Sequence, residues 1–345
     1  MLRTTTRSAL LLFVIGLTFA STASAADTYG ANAPGNLIVN SQVTEQASTL
    51  TTNLLSDRIG QAVNSGIVSS VAGLRQRGMS AGGSNRSNAI WLTAGANFLK
   101  NDNKDQGFNG VIQTIAGGLD RWVTDNLLFG LAGGHEQIDL DTLFNNGKLK
   151  SHGWAVAPYM AYRVSPSMTV DAILGHTWLR YDEVHAGSAG PSVTGEFDAN
   201  RVFAAVDLNQ KWKVQGWNIA SSLGYLYVHE NQDAFVESNN NQVTASTPHA
   251  AQVRATATIG HETATSWGSI MPYFYGRAGR YIDQSQAPLI NAKGERANWD
   301  PWTAEGGLGL EAKIGDGAVV RLQGTKSWNG DIKNNGVNLT VRNPF

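Results

Sequence analysis

Residues 202–212 read VFAAVDLNQKW, and their side chains sort by parity. Val202, Ala204, Val206 and Leu208 fall on one face of an extended chain, with Phe203, Ala205, Asp207, Asn209 and Lys211 on the other. A repeat of two residues is the pattern of a β-strand. It recurs in TAEGGLGLEAKI, residues 303–314, where Ala304, Leu308, Leu310, Ala312 and Ile314 oppose Glu305, Glu311 and Lys313. From Asn88 onward about twelve such runs follow, beginning near Asn88, Phe108, Leu127, Lys148, Met168, Thr194, Trp217, Pro248, Ser269, Asn298, Ala318 and Ile332. LLFGLAGGHE (127–136) and YFYGRAGRY (273–281) are less regular, and a bulge or register shift must be allowed there. The last run ends the sequence on Phe345, on the same parity as Val337, Leu339 and Val341.

The connections say more than the strands. Every second one is tight: VTDNL (123–127), VSPSM (164–168), VQGWN (214–218), TSWGS (265–269) and IGDGA (314–318). The others are long and polar, among them KNDNKDQG, DTLFNNGK, DEVHAGSAGPS, ENQDAFVESNNNQVTAST and DQSQAPLINAKGER. Short turns on one rim and long loops on the other are the pattern of bacterial outer-membrane barrels. An even number of strands then brings both ends of the sheet to the turn rim, where the last strand can close against the first and leave no free edge. Trp122, Trp212, Trp217 and Trp267 flank short turns, while Trp178, Trp299 and Trp328 lie toward long loops, as two aromatic girdles require.

Composition agrees. Charged residues make up 15% of the chain, against about 25% in soluble domains. There are 38 glycines and 10 tryptophans, and mean hydropathy is −0.21. Apolar residues that face lipid on alternate positions give this dilution, which a helical membrane span would not. No cysteine is present, so disulfides and thiolate metal sites are excluded. A net charge of −1 argues against nucleic acid as a partner. At the start, Arg3 and Arg7 precede ALLLFVIGLTFA and then STASA, which reads as a secretory signal peptide over residues 1–25.

Residues 26–87 are expected to form a short N-terminal segment and a linker helix. Leu50, Leu54, Ile59, Val63, Ile67, Val71 and Leu74 recur at three to five residues, and the intervening polar positions are mostly Ser, Thr, Asn and Gln. A weakly charged amphipathic helix suits a confined polar channel, so Leu54, Ile59, Val63, Ile67, Val71 and Leu74 are assigned to a helix in the barrel lumen. The fold expected is all-β: a transmembrane outer-membrane β-barrel of about 12 antiparallel strands over residues 88–345, with an N-terminal α-helix inside it.

IWLTAGANF, TIAGGLDRWVTDNLLFGLAGGHEQID, WAVAPYMAYRV, SIMPYFYGRAGRY and GVNLTVRNPF, in that order and spacing, resemble the translocator β-barrel domain of autotransporters, the type V secretion proteins. The resemblance covers roughly residues 88–345. It implies a monomeric barrel in the outer membrane of a Gram-negative bacterium, with loops at the cell surface. The partners it implies are outer-membrane lipid, the barrel-insertion machinery and periplasmic chaperones. The chain departs from the family pattern in offering only residues 26 to about 50 ahead of the helix, so the exported passenger is expected to be vestigial or absent. Release by cleavage between adjacent Asn residues is not expected, since Asn53 and Asn64 are followed by Leu54 and Ser65. Two alternatives stand beside translocation: a plugged or open porin-like barrel, and a surface adhesin acting through the long loops.

No other chemistry is indicated. The seven histidines show no H-x-x-x-H spacing, there is no nucleophile elbow and no phosphate loop, so neither a metal, a cofactor nor an enzymatic activity is expected. Asp182, Glu183 and His185, read as loop residues, have no spacing that demands a site. The one constellation is a set of charges on the lumen parity: Asp120, Arg201, Asp207, Lys211, Arg254, Glu262, Glu305, Glu311, Lys313 and Arg321. Pairing among themselves and with the lumenal helix is the expected role of these charges.

Overall fold

The computed structural model describes residues 42–56, 59, 88–103, 107–187, 191–285, 300–315 and 317–345. The expected signal peptide and the expected helix positions Val63, Ile67, Val71 and Leu74 lie outside them. Fifteen strands run in chain order: β1 (Asn88–Asn101), β2 (Phe108–Trp122), β3 (Leu127–Thr142), β4 (Gly147–Ser165), β5 (Met168–His185), β6 (Val193–Val214), β7 (Trp217–Gln232), β8 (Phe235–Val236), β9 (Gln242–Val243), β10 (His249–His261), β11 (Thr263–Thr265), β12 (Gly268–Gln284), β13 (Trp302–Ile314), β14 (Ala318–Asn329) and β15 (Ile332–Pro344). Twelve of these make a closed antiparallel barrel, in which each long strand pairs with its chain neighbours and β10 with β12. The pairs β8–β9 form a separate hairpin inside one loop, and β11 is a short continuation beside β12. No helix among the described residues is long and apolar enough to cross a membrane.

The seam is continuous. β1 and β15 pair from Ala89↔Pro344 to Asn101↔Ile332, and Thr93 Oγ1 lies 2.8 Å from Thr340 Oγ1 across it. Asn88 and Phe345 exchange backbone hydrogen bonds at the end of the seam. Every edge is thereby paired, as a lipid environment requires of a sheet.

Eleven of the twelve expected strand starts fall within one residue of those observed. The exception is Asn298, which lies outside the described residues; the strand there begins at Trp302. Parity sorts the faces as expected. Val206, Leu208, Leu308 and Leu310 are exposed on the outside of the barrel, whereas Phe203, Ala205 and Asp207 are buried inside. Residues 127–136 pair without any irregularity, and the shift allowed for near residues 273–281 falls at their end, where Ala251 and Gln252 face Asp283 and Tyr281.

Three sequence expectations need correction. Trp122 flanks a tight turn but points inward and is buried, with the Arg163 guanidinium 4.6 Å from its ring, so it is no girdle residue. The short-long alternation breaks at the loop rim, because Gly330–Asp331 joins β14 to β15 in two residues and β3 to β4 takes only residues 143–146. Glu183 and His185 belong to β5 rather than to a loop. Tight turns demand special backbone geometry: Gln215 (φ 49°) and Gly216 (φ 87°) both adopt positive φ, the combination that a two-residue hairpin with native twist needs.

Two inward glycines make room for aromatic rings. Gly130 faces Tyr159 across β3–β4 and Gly175 faces Phe203 across β5–β6, and in each case a Cβ would fall inside the ring of its partner. The rings pack against the bare backbone on the inner side of the barrel wall.

Candidate functional site

The lumen holds a helix, α1, over residues 42–56. Val43, Ala47, Leu50 and Leu54 recur at helical spacing and form one buried stripe. They pack on Ile138, Leu140, Leu149, Leu179, Tyr181 and Phe197 of the barrel wall, and on Phe235 and Val243 of the β8–β9 hairpin. Leu55 and Ile59 join a second cluster with Trp91, Ala116 and Phe203. Burying each large apolar side chain contributes on the order of 1.5–3 kcal/mol. The helix starts earlier than its apolar periodicity suggested, and its polar face is buried too: Gln42, Thr44, Glu45, Ser48, Thr51 and Thr52 are all shielded from solvent.

A buried polar residue needs a partner, and the barrel wall supplies them. At the loop rim Asn101 Nδ2 donates to Gln42 Oε1 (3.3 Å) and Gln284 Nε2 to Glu45 Oε2 (2.8 Å). In the middle, Arg201 joins β3, β5 and β7. Its Nη1 donates to Glu136 Oε1 at 2.8 Å, its Nε to Glu230 Oε2 at 2.7 Å and its Nη2 to Tyr181 Oη at 3.3 Å. Thr44 Oγ1 donates to Glu230 (3.1 Å) and Thr51 Oγ1 to Glu136 (3.4 Å), which ties the helix to this network. At the foot of the helix, Arg254 pairs with Asp207 (3.0 Å) and donates to Asn53 Oδ1 (2.8 Å), while Ser56 Oγ donates to Asp207 Oδ2 (2.9 Å).

The other expected lumen charges lie in three places. Asp120 accepts a hydrogen bond from Tyr159 (3.3 Å) and pairs with Arg342 (3.5 Å). Glu305 pairs with Arg277 (3.0 Å) and with the Tyr275 hydroxyl. Toward the turn rim, Glu311 pairs with Arg321 (2.6 Å), and together with Lys211 and Lys313 they line a cavity of about 430 Å³ below Ser56. Glu262 sits beyond the end of β10 and accepts hydrogen bonds from Lys213, Lys313 and Ser269 at 2.6–2.9 Å. Burial pushes its carboxyl up, yet those three donors outweigh burial and hold it at about 2.

Of the ten residues singled out by parity, the structure joins Asp207 with Arg254, Glu262 with Lys313 and Glu311 with Arg321. The partners of Arg201, Asp120 and Glu305, namely Glu136, Glu230, Arg342 and Arg277, were not anticipated. Inward parity alone signals Arg342 and Glu230; nothing in the sequence signals that Glu136 reaches Arg201.

Asp120, Glu305, Glu311 and Glu262 pair within the barrel wall, whereas Asn101 and Gln284, the Arg201 network and the Arg254–Asp207 pair bond to α1. The latter fasten polar helix residues at three depths along the lumen. The direction of α1 is also fixed by them: Gln42 contacts the loop rim, and Ser56 contacts Asp207 deeper toward the turn rim.

A family model described as the autotransporter beta-domain matches residues 90–325. Among solved structures, the chain is similar to the β domain of the Bordetella autotransporter BrkA, at 18% identity and a TM-score of 0.63, covering 75% of this chain and 100% of that one. It is similar to the translocator domain of the autotransporter NalP from Neisseria meningitidis, at 11% identity and TM-score 0.61, over 86% and 98% of the two chains. The transport unit of the autotransporter AIDA-I from Escherichia coli gives 11% identity and TM-score 0.55, over 81% and 96%. No curated protein sequence matches the chain.

Proposed function

Because this chain belongs to the autotransporter β-domain family, a transport domain of the Gram-negative outer membrane, we propose that it carries to the cell surface the segment of its own chain that precedes α1. The observation that carries this reading is the direction of the helix. Its N-terminal end, Gln42, lies at the loop rim, beside Asn101, and Glu45 lies beside Gln284 there. The barrel strands begin at the opposite rim, at Asn88. A polypeptide that threads the pore in this sense has its N-terminal segment outside and the start of its barrel inside.

The lumen charges named above, in this reading, seat the helix after passage. Arg201 and Arg254 act as the two principal posts, and Asp207, Glu136 and Glu230 neutralise them. An open porin finds less support, since α1 occupies the loop-rim half of the channel, and a loop-borne adhesin finds none specific to it. The outward row Leu339, Val341 and Phe345 on the last strand suits recognition by the barrel-insertion machinery after delivery by periplasmic chaperones. An epitope inserted after Ala31 and probed on intact cells tests the proposal. Labelling of intact cells is expected; labelling only after the outer membrane is permeabilised refutes export of the segment.

A further inference from the structure

At the loop rim, beside the outer end of α1, three side chains from two elements meet. Glu183 and His185 stand two residues apart on β5 and so share its inner face. Glu237 arrives from the turn of the β8–β9 hairpin, which is seated by Phe235 stacking on Phe197 (4.9 Å) and by Phe197 stacking on Tyr181 (4.8 Å). All three are buried, Glu183 at 1%, His185 at 3% and Glu237 at 3%. One ligand atom from each lies within 4.8 Å of the other two.

The histidine is oriented in a particular way. Its Nδ1 lies 3.1 Å from the Ala186 carbonyl, which can only accept, so Nδ1 carries a hydrogen and donates it. Its Nε2 then points at Glu237 Oε1 from 2.7 Å. In the neutral imidazole that arrangement sets a nitrogen lone pair against a carboxylate oxygen, so the pair calls for a positive centre, either a second ring proton or a metal ion. The remaining oxygen of Glu237 is fixed by Asn241 Nδ2 at 2.9 Å. A ring nitrogen that donates to a backbone carbonyl while the other faces an electrophile is the usual outer support of a metal-bound histidine. Two carboxylates against one imidazole also leave the trio net negative in a buried place.

We propose that Glu183, His185 and Glu237 bind one divalent transition-metal ion of the zinc type, and that this ion clamps the β8–β9 hairpin to the barrel rim. Imidazole and carboxylate together suit such an ion better than Ca²⁺ or Mg²⁺, which prefer oxygen alone. Three protein ligands leave a fourth position for water. Metal–ligand distances of ~2.0–2.2 Å in a tetrahedron place the ligand atoms roughly 3.3–3.5 Å apart. The Nε2–Oε1 separation therefore opens from 2.7 Å while the wider separations close, all by small side-chain rotations. The hairpin brings Phe235 and Val243 into the cluster that holds Val43, Ala47 and Leu50, so the clamp braces the exit end of the helix.

The test uses the full chain folded in detergent micelles, stripped with EDTA, dialysed, and titrated with ZnCl₂ by calorimetry and with CoCl₂ by absorption. One saturable equivalent is expected, with the visible bands of tetrahedral cobalt, and with slower protease cutting between residues 233 and 248 once zinc is bound. His185→Gln and Glu237→Gln are expected to weaken binding by at least ~100-fold while keeping heat-modifiable gel mobility. His229 and His249, whose rings lie 6.3 Å apart, offer a rival site, and the double variant His229→Gln/His249→Gln is expected to bind as the parent does. The proposal is overturned by absence of saturable binding, by preference for Ca²⁺, or by binding lost with His229 and His249 instead. Should His185→Gln fail to fold, octahedral cobalt bands in the parent overturn it equally.

Discussion

Replacing Arg201 by Met should strongly destabilise the barrel. Arg201 is 1% exposed and its guanidinium is the shared partner of Glu136 and Glu230, which are themselves 5% and 0% exposed at the side chain. The variant keeps the volume and the apolar stem but leaves two buried carboxylates facing each other without a cation. Breaking a buried pair by removing one partner costs about 3–5 kcal/mol, which amounts to two to three and a half decades in the unfolding equilibrium at about 1.4 kcal/mol per decade. Thr44 and Thr51 donate to the same carboxylates, so α1 loosens with them. The assay is reversible urea unfolding in lipid vesicles, followed by tryptophan fluorescence. The triple variant Arg201→Met/Glu136→Gln/Glu230→Gln removes the charges together and should recover at least half of the loss, because the cost lies in stranded charge rather than in lost attraction. A single variant within about 1 kcal/mol of the parent refutes the reasoning, and so does a triple variant less stable than the single.

Deleting residues 26–80 should raise single-channel conductance in planar bilayers while the barrel still assembles; an unchanged conductance shows that α1 does not obstruct the pore. Glu262, held at about 2 in the folded protein against an ordinary 4.5, contributes stability that is fully present above about pH 4.5 and is lost as the pH falls toward 2. Glu262→Gln should therefore flatten the stability profile between pH 5 and 2, and an unaltered acid limb counts against the Lys213–Glu262–Lys313 cluster. Gly175→Ala drives a methyl into the Phe203 ring and should cost about 1–3 kcal/mol. Pairing it with Phe203→Leu should return part of that loss in the same unfolding assay, and a fully additive double variant argues that the two do not touch.

Strand positions were legible because a barrel wall imposes a repeat of two at every residue, and the turns interrupt it at fixed places. VFAAVDLNQKW and TAEGGLGLEAKI each declare their faces without help. The inward charges were legible for the same reason, but which of them meet was not. Arg201 and Glu230 are direct neighbours across β6–β7, whereas Glu136 reaches Arg201 from β3, and that meeting depends on how the strands stagger around the closed barrel. The irregularity allowed for in residues 127–136 also left the parity of Glu136 unread, and the strand proved regular. The helix was harder still. Periodicity marks a helix by contrast between an apolar and a solvated face, and most of the polar face of α1 is buried, with only Gln46, Thr49, Asn53 and Ser56 left half-buried along one line. Thr44, Glu45, Thr51 and Thr52 look like a surface in sequence and are a second interface in the structure.

The seam between β1 and β15 is bonded along its whole length, much as the other neighbours are, yet it differs from them in time. Each other long strand meets a partner that follows it within a turn or a loop, and the last two connections, residues 315–317 and Gly330–Asp331, are so short that β13, β14 and β15 can form a meander almost at once. β1 must instead find a strand at the far end of the chain. The entropy of that search grows only with the logarithm of the separation, about 0.6 kcal/mol per doubling, so the finished barrel is scarcely weakened by it. The rate bears the cost: until the two ends meet, a growing sheet carries two unpaired edges, each a template for another chain. The vulnerability of this protein to aggregation thus belongs to the interval before closure and vanishes with it.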